Sequence, residues 1–173
     1  DGILAGVEIA KEVFARFDPT MVVEVLINDG AKVHRGDIAM VVTGKVRSLL
    51  QTERLMLNIM QRMSGIATMT HRYVERIEGT GAHVLDTRKT TPGMRMLEKM
   101  AVKIGGGVNH RIGLFDMILL KDNHIDFAGG ISNAINRCHA YLKERSLDLM
   151  IEIEVRNFDE LNQVLECGGV NRI

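Results

Sequence analysis

The spacing of apolar residues predicts that the first part of the chain begins with a helix and continues with short strands. Near the N-terminus, apolar residues recur at steps of four and three: Ile3, Val7, Ala10, Phe14 and Phe17. This spacing predicts one amphipathic helix, which ends before Pro19 because proline disfavours helical geometry in the residue before it. Two apolar strands follow at residues 21–27 and 38–43, separated by turns at Gly30 and Gly36.

A long helix and a regular alternation of strands and helices are predicted for the rest of the chain. Helical spacing runs from residue 48 to residue 77, and its apolar positions are Leu49, Leu50, Leu57, Met60, Val74 and Ile77. Strands are then predicted at residues 83–87, 117–121 and 149–155, and helices at residues 94–104, 131–142 and 158–166. Another strand begins at Val170. This alternation predicts an α/β fold with a parallel sheet, either open or closed into a β/α barrel.

Composition narrows the classes of function. The 22 Lys and Arg residues balance the 22 Asp and Glu residues, which argues against binding of nucleic acid or an anionic membrane by the whole protein. No apolar run is long enough to span a bilayer, and the N-terminus has no basic segment typical of a signal peptide. The two cysteines, Cys138 and Cys167, form no CxxC pair, which predicts reduced thiols on helices and a cytoplasmic protein.

Positive charge is concentrated between Asp86 and Asp122. Seven basic residues stand there against four acidic ones, and the basic residues are Arg88, Lys89, Arg95, Lys99, Lys103, Arg111 and Lys121. The predicted strands place Arg88, Lys89, Lys121 and Glu154 at or near carboxyl ends, which form the active face of parallel α/β folds. We therefore expect one shared opening with several cations and one carboxylate, suited to an anionic ligand and a metal ion.

Ordinary structural interpretations stand beside this one. Lys99 and Lys103 are four residues apart on a predicted helix and would then face water, as would Arg95. Residues 105–107 are three glycines, which also suit a helix end with a flexible loop. Four histidines outside this segment are interpreted as structural or solvated: His34, His71, His83 and His139.

Five segments resemble motifs of the quinolinate phosphoribosyltransferase family, in the family's order. Residues 86–95 read DTRKTTPGMR, residues 105–111 read GGGVNHR, residues 120–124 read LKDNH, and residues 152–155 read EIEV. Upstream, Glu53, Arg54 and Asn58, followed by MSGIAT at residues 63–68, resemble the helix that leads into the family's barrel. One such motif would be suggestive, whereas five in order are highly specific.

The resemblance implies a fold and a reaction. Residues 1–56 would be part of an N-terminal α/β sandwich domain, and residues 57–173 the first part of a β/α barrel whose C-terminal strands are missing. The enzyme would transfer the phosphoribosyl group of phosphoribosyl pyrophosphate to quinolinate with decarboxylation. The products would be nicotinate mononucleotide, pyrophosphate and carbon dioxide, a step of NAD biosynthesis. The resemblance also implies Mg²⁺ and a homodimer.

The resemblance further implies roles for eight residues. Four would hold the quinolinate carboxylates or line that pocket: Arg88, His110, Arg111 and Lys121. Lys89 and Lys103 would be further substrate-binding cations, and Arg54 would come from the partner subunit. Glu154 would lie near the ribose and, indirectly, the metal. Lys89, Lys121 and Glu154 form the implied catalytic set.

Three other functions remain open at this point. A related phosphoribosyltransferase could act on a different anionic acceptor with the same fold and most of the same cations. A barrel lyase or isomerase for sugar phosphates fits the alternation of strands and helices but lacks the five motifs. A non-catalytic binding or oligomerisation module is the third, although phosphate-directed cations argue against it.

Overall fold

The computed structural model describes all residues, 1–173, and contains six helices and six strands, which confirms the mixed α/β class. The chain divides into two compact units, Asp1–His110 and Arg111–Ile173. The elements of the first unit are β1 (Gly2–Ile3), α1 (Val7–Phe17), β2 (Val22–Val25), β3 (Lys32–Val33), β4 (Met40–Thr43), α2 (Val46–Arg76) and α3 (Arg95–Ile104). The elements of the second unit are β5 (Ile118–Leu120), α4 (Asp122–Ala128), α5 (Ile131–Arg145), β6 (Ile151–Ile153) and α6 (Phe158–Cys167).

The first helix is shorter than its apolar spacing predicts. Ile3 lies on β1, which pairs with β3 in antiparallel orientation, and Phe17 is 49% exposed. The chain turns at Gly6, where φ is 107° and glycine is favoured because it has no Cβ. The Asp29 carboxylate accepts a hydrogen bond from the Val7 backbone N–H at 2.8 Å, so a residue distant in sequence stabilises the first turn of α1.

The second sheet is an antiparallel pair of β2 and β4, in the register Val23 to Val42. The face with these two valines packs with Phe14 of α1 and Met56 of α2. The opposite face is exposed, with Val22 65% accessible. This sheet and α1 therefore cover the N-terminal half of α2.

The long helix is confirmed within two residues at its N-terminus and one at its C-terminus, and two of its predicted apolar positions, Leu49 and Met60, pack against the core. Its buried residues are Ser48, Thr52, Met56, Ile59, Met63, Ala67 and Thr70, whereas Leu50 is 68% exposed and Leu57 is also exposed. The buried stripe includes small residues because neighbouring backbone lies very close to α2. A Cβ at Gly105 would collide with the Ala67 carbonyl and lie 2.9 Å from the Thr70 Cβ. Gly105, and likewise Gly107, is thus required for close packing, whereas Gly106 has a positive φ of 90°.

The strand predicted at residues 83–87 is reduced to a single parallel bridge between Leu85 and Val108. The Val108 N–H donates to the Val84 carbonyl at 2.8 Å, and the Asp86 N–H donates to the Val108 carbonyl at 3.2 Å. Helix α3 itself is confirmed to within one residue.

The second unit contains a parallel pair, β5 and β6, joined by α4 and α5. Its core consists of apolar residues from both strands and three helices, among them Ile135, Ile151, Ile153 and Val164. The predicted parallel pairing is confirmed, although both strands have only three residues. The strand predicted from Val170 is a single parallel bridge between Glu152 and Arg172. Helix α4 was not predicted, because its first turn, Asp122-Asn123-His124, is polar and suggests a loop.

None of the helices is both long and apolar enough to cross a membrane. The longest, α2, is amphipathic and carries charged residues along its exposed side.

Candidate active site

Lys121 and Glu154 lie side by side at the carboxyl ends of the two parallel strands. Leu120 is paired with Ile153 in the parallel register. Lys121 and Glu154, which follow these two residues, therefore lie next to each other. The Lys121 Nζ donates to the Glu154 Oε1 at 2.7 Å, and the two side chains are 45% and 53% exposed. The predicted position of both residues at strand ends is confirmed, and both charges remain accessible to a ligand.

Backbone contacts hold this pair in place. The Lys121 N–H donates to the Nδ1 of His124, one turn into α4, at 2.9 Å. The Glu154 N–H donates to the Leu120 carbonyl at 2.9 Å, which extends the parallel pairing by one residue. Both backbone positions are therefore determined by the sheet and by the start of α4.

Arg111 begins a tight loop at the start of the second unit. Its Nη1 donates to the Met117 carbonyl at 3.2 Å, and the side chain is half-buried. The Asp116 carboxylate closes the loop by accepting the backbone N–H groups of Ile112, at 2.7 Å, and Gly113, at 2.8 Å. The loop thus holds the Nη1 of Arg111 next to the N-terminal end of β5.

Arg88 and Lys89 lie in the loop that follows the Leu85 bridge, hereafter the 87–94 loop. Lys89 is exposed, and its N–H donates to the Thr87 Oγ1 at 3.0 Å. Arg88 is half-buried, and its Nε is buried without a hydrogen-bond partner. Arg95 donates to the Thr90 Oγ1 at 3.2 Å and to the Arg88 carbonyl at 3.4 Å. The expectation that Arg95 merely faces water is therefore wrong, because it binds this loop.

A second contact holds the same loop to α2 and α3. Arg62 donates to Glu98 through its Nε at 2.8 Å, and its Nη2 contacts both Glu98 and the Thr91 hydroxyl. Glu98 also accepts the Thr91 backbone N–H at 3.2 Å. Burial alone would raise the pKa of Glu98, but the hydrogen bonds from Arg62 and Thr91 outweigh it, and the pKa lies below its ordinary value. Glu98 is therefore ionised at neutral pH and holds the loop as a carboxylate.

A buried ion pair lies beneath His110. Lys99 is only 2% exposed, so the expectation that it faces water is wrong. Its Nζ pairs with the Asp86 carboxylate and donates to the His110 carbonyl at 3.1 Å. Asp86 in turn accepts the His110 backbone N–H at 2.8 Å. Two motifs, residues 86–95 and 105–111, are thus joined through Lys99 on α3.

Arg54 and Lys103 lie apart from these clusters. Arg54 is exposed on α2, on the same side as Leu50 and Leu57, and Lys103 is exposed in the last turn of α3. The first unit carries five of the candidate residues, Arg54, Arg88, Lys89, Lys103 and His110. The second unit carries Arg111, Lys121 and Glu154, and it brings the last two into direct contact.

The side chains contain no group of three or more His, Cys, Asp or Glu residues that could hold a metal ion. Glu154 is the single carboxylate in contact with a candidate cation at the strand ends. Mg²⁺ in phosphate-processing sites is commonly bound by one or two carboxylates together with substrate phosphates. A single carboxylate fits a magnesium ion that takes most of its ligands from water or a bound phosphate compound, rather than one held by the protein alone.

The cysteines and His139 have ordinary environments. Burial raises the pKa of the Cys138 thiol, which disfavours the reactive thiolate, and both cysteines are free. His139 contacts the Gly169 carbonyl at 2.8 Å, which fits its predicted structural role.

Sequence reasoning missed the loop-holding residues Arg62 and Glu98 and the buried Lys99. The available signal was Ala101 on α3, a small residue that marks the closely packed side of the helix near Glu98 and Lys99. Burial of a charge depends on a partner from elsewhere in the chain, and no local spacing reports that partner.

Two family models match the chain. The N-terminal domain of quinolinate phosphoribosyl transferase matches residues 1–64, and its C-terminal domain matches residues 66–173. Quinolinate phosphoribosyltransferase [decarboxylating] 1b of Nicotiana tabacum is 49% identical over 169 residues, 98% of this chain and 48% of the relative. The nicotinate-nucleotide pyrophosphorylase [carboxylating], chloroplastic, of Arabidopsis thaliana is 48% identical over the same shares.

Solved structures agree with these matches. NadC from Streptococcus pyogenes superposes with a TM-score of 0.89 at 41% identity, covering 96% of this chain and 58% of that chain. The chain spans about half the length of the curated relatives it matches. Because the two family models together match nearly every residue, the chain belongs to the quinolinate phosphoribosyltransferase family.

Proposed function

We propose that this chain carries acceptor-binding and catalytic residues of an enzyme that transfers a phosphoribosyl group to quinolinate with decarboxylation. Phosphoribosyl pyrophosphate is the donor, and the products are nicotinate mononucleotide, pyrophosphate and carbon dioxide. Support comes from the family membership and from the printed names of the relatives. The single observation that carries the proposal is the contact of Lys121 with Glu154 at the ends of two parallel strands.

The acceptor is a dianion, which accounts for the density of positive charge. Arg88, His110, Arg111 and Lys121 bind its two carboxylates in this proposal. A guanidinium binds a carboxylate through two parallel hydrogen bonds, and lysine contributes a compact point charge. The unpartnered Nε of Arg88 supports this role, since a buried donor of this kind requires an acceptor.

The donor carries more negative charge than the acceptor, and the remaining cations bind it in this proposal. Lys89 and Lys103, both exposed, bind its phosphate groups. Arg54 enters the site of the partner subunit of a homodimer. The exposed apolar residues beside it, Leu50 at 68% and Leu57 at 38%, support an interface on this side of α2.

Glu154 faces the ribose in the proposed mechanism. The bond between ribose C1 and the pyrophosphate oxygen breaks, pyrophosphate leaves with the electron pair, and the quinolinate nitrogen bonds to C1. Positive charge develops on the sugar during this step, and a carboxylate nearby stabilises it. Lys121, whose Nζ is 2.7 Å from the Glu154 Oε1, is assigned in this proposal to a carboxylate of the acceptor.

Decarboxylation follows without a covalent enzyme intermediate. Carbon dioxide leaves from the ring carbon next to the nitrogen, and the electron pair remains on that carbon until it takes up a proton. The ring nitrogen is now cationic and stabilises this electron pair, as do neighbouring Lys and Arg side chains. Mg²⁺ would be held by Glu154, indirectly, and when bound it neutralises charge on the leaving pyrophosphate.

We also propose a division of the chain into a sandwich domain and a barrel. Residues 1–56 form part of an α/β sandwich domain and residues 57–173 the first part of a β/α barrel, so α2 belongs to both. The parallel β5 and β6 with connecting helices support the barrel, since this is its repeating unit. A cytoplasmic location is supported by the free cysteines, and the Arabidopsis relative carries the word chloroplastic in its name.

The test is turnover by the intact protein. We expect nicotinate mononucleotide and carbon dioxide to form in equal amounts from quinolinate, donor and Mg²⁺. Arg111→Ala is expected to lower kcat/KM by roughly 10²-fold, because a charge-assisted hydrogen bond is lost. Arg145→Ala, at the exposed end of α5, is the matched control and is expected to leave kcat/KM unchanged. Absence of both turnover and quinolinate binding would overturn the proposal and favour a related enzyme for another ring acid.

A further inference from the structure

Both backbone polar groups of His110 are held by the two members of one buried ion pair. The His110 N–H donates to the Asp86 Oδ1 at 2.8 Å, and the His110 carbonyl accepts the Lys99 Nζ at 3.1 Å. The side chains of Lys99 and Asp86 are only 3% and 7% exposed. Solvent therefore has little access to these contacts.

Asn109 adds a third side chain to this arrangement. With its amide nitrogen facing the acceptors, it donates to the Lys99 carbonyl and to the Asp86 Oδ2, both at 2.8 Å. The cluster of Asp86, Lys99 and Asn109 is hereafter the His110 anchor. All its members lie in the first unit, so the arrangement is internal to one compact part of the chain.

Stability alone does not account for the anchor. Removing a lysine and an aspartate from water costs several kcal/mol per ion, and well-packed apolar residues of similar volume are often as stable. A buried pair is understandable where its hydrogen bonds impose a specific geometry. Here those hydrogen bonds converge on the peptide groups of one residue, and that residue stands next to Arg111.

We propose that Lys99 and Asp86 are positioning residues, which fix the backbone of His110 so that its imidazole meets a carboxylate of the acceptor. The second half of this statement rests on the proposed function, whereas the first concerns the conformation of His110 alone. Lys99 does not touch the acceptor in this proposal and acts through the His110 backbone. Arg111 is held separately, through the Met117 carbonyl.

The test replaces the pair by apolar residues of similar size, Asp86→Leu with Lys99→Met, in the intact protein labelled with ¹³C at histidine. We expect the double variant to fold with a lowered Tm, because no buried charge is left unpaired but the His110 N–H and carbonyl lose their hydrogen-bond partners. We also expect the imidazole signal of His110, assigned with His110→Gln, to broaden or split. The KM for quinolinate is expected to rise tenfold or more, while the KM for the donor stays within twofold.

Ala101→Gly is the matched control, since it loosens α3 without removing an anchor residue. It is expected to lower Tm and to leave the His110 signal unchanged. If the double variant fails to fold, Asn109→Ala replaces it, because Asn109 is exposed and its truncation leaves no unpaired buried charge. Asn109→Ala is expected to shift the His110 signal in the same direction by a smaller amount.

A folded double variant with an unchanged His110 signal and an unchanged quinolinate KM would overturn the inference. If Asn109→Ala is used instead, an unchanged His110 signal would overturn the inference. If the wild type shows no turnover of quinolinate, the proposed function fails, and the His110 signal still decides whether the anchor positions this residue.

Discussion

The guanidinium of Arg62 on α2 contacts the Thr91 hydroxyl at 2.5 Å and thereby connects the long helix to the 87–94 loop. The same guanidinium binds Glu98, which also accepts the Thr91 N–H. One arginine thus joins α2, α3 and the loop that carries Arg88 and Lys89. The conformation of this loop depends on a residue well outside its own motif.

Removing this contact is expected to loosen the loop without unfolding the protein. We expect Arg62→Ala to lower the free energy of unfolding by about 1–2 kcal/mol, since charge-assisted hydrogen bonds to Glu98 and Thr91 are lost. The KM for quinolinate should also rise, because Arg88 lies in this loop and loses its fixed position when the loop loosens. Urea denaturation and steady-state kinetics measure the two effects. Equal kinetics in Arg62→Ala and the exposed control Arg145→Ala would contradict this interpretation.

The lowered pKa of Asp18, which binds Ser48 at the start of α2, predicts that the stability of the protein depends on pH. Hydrogen bonds from Thr20, first, and from Ser48 lower the pKa of Asp18 from 3.8 to about 2. Because the folded pKa is below the unfolded pKa, Asp18 contributes stability above pH 3.8 that is lost as the pH falls towards 2. We expect Asp18→Asn to flatten this part of the stability curve, measured by thermal unfolding between these pH values. Ser48→Ala should raise the pKa of Asp18 in an NMR titration, and an unchanged pKa would show that Ser48 is not a significant cause.

The Lys121–Glu154 pair is expected to matter for activity and very little for stability. Both side chains are about half exposed, and ion pairs of this kind contribute about 0–1 kcal/mol to folding. We therefore expect Glu154→Gln to change Tm by less than about 2 °C while kcat falls roughly 10²-fold. Calorimetry and initial rates provide the comparison. A large loss of Tm with normal kcat would assign the pair a structural role instead.

Two glycines in the first unit are expected to respond in opposite ways to alanine. A Cβ at Gly105 collides with the Ala67 carbonyl of α2, so Gly105→Ala should destabilise the protein by about 1–3 kcal/mol. A Cβ at Gly65, inside α2, meets nothing within 4 Å, so Gly65→Ala should stabilise it by about 0.5–1 kcal/mol. Chemical denaturation of both variants checks the signs. The same sign for both would show that backbone contact with α2 is not the reason for glycine at position 105.

Mixing of inactive variants tests the proposed contribution of Arg54 to the partner subunit. Arg54→Ala and Lys121→Ala should each be inactive alone, and a mixed dimer should contain one intact site. An equimolar, fully exchanged mixture is then expected to recover about a quarter of wild-type activity. Lys121→Ala mixed with Glu154→Gln is the control without recovery, because these two residues contact each other in one subunit. No recovery with Arg54→Ala would place Arg54 in the site of its own subunit.

Local pattern predicted the elements better than it predicted their faces. Helix α2 was predicted nearly to its ends, yet Leu50 is exposed and Thr52 is buried. Thr52 is tolerated there because its hydroxyl donates to the Ser48 carbonyl at 2.8 Å, one turn earlier. Hydrophobicity alone does not identify such a position, because a polar side chain can be buried where it finds a hydrogen-bond partner in its own helix.

The sequence by itself determined the family, the mixed α/β class and the placement of Lys121 and Glu154 at strand ends. These follow from local signals, namely motif order and the alternation of strands and helices. Only the tertiary structure decided that Lys99 is buried beneath His110 and that Arg62 holds the 87–94 loop. The reason is physical, since a charged side chain is buried only where distant residues supply its hydrogen bonds, and those partners meet only when the chain has folded.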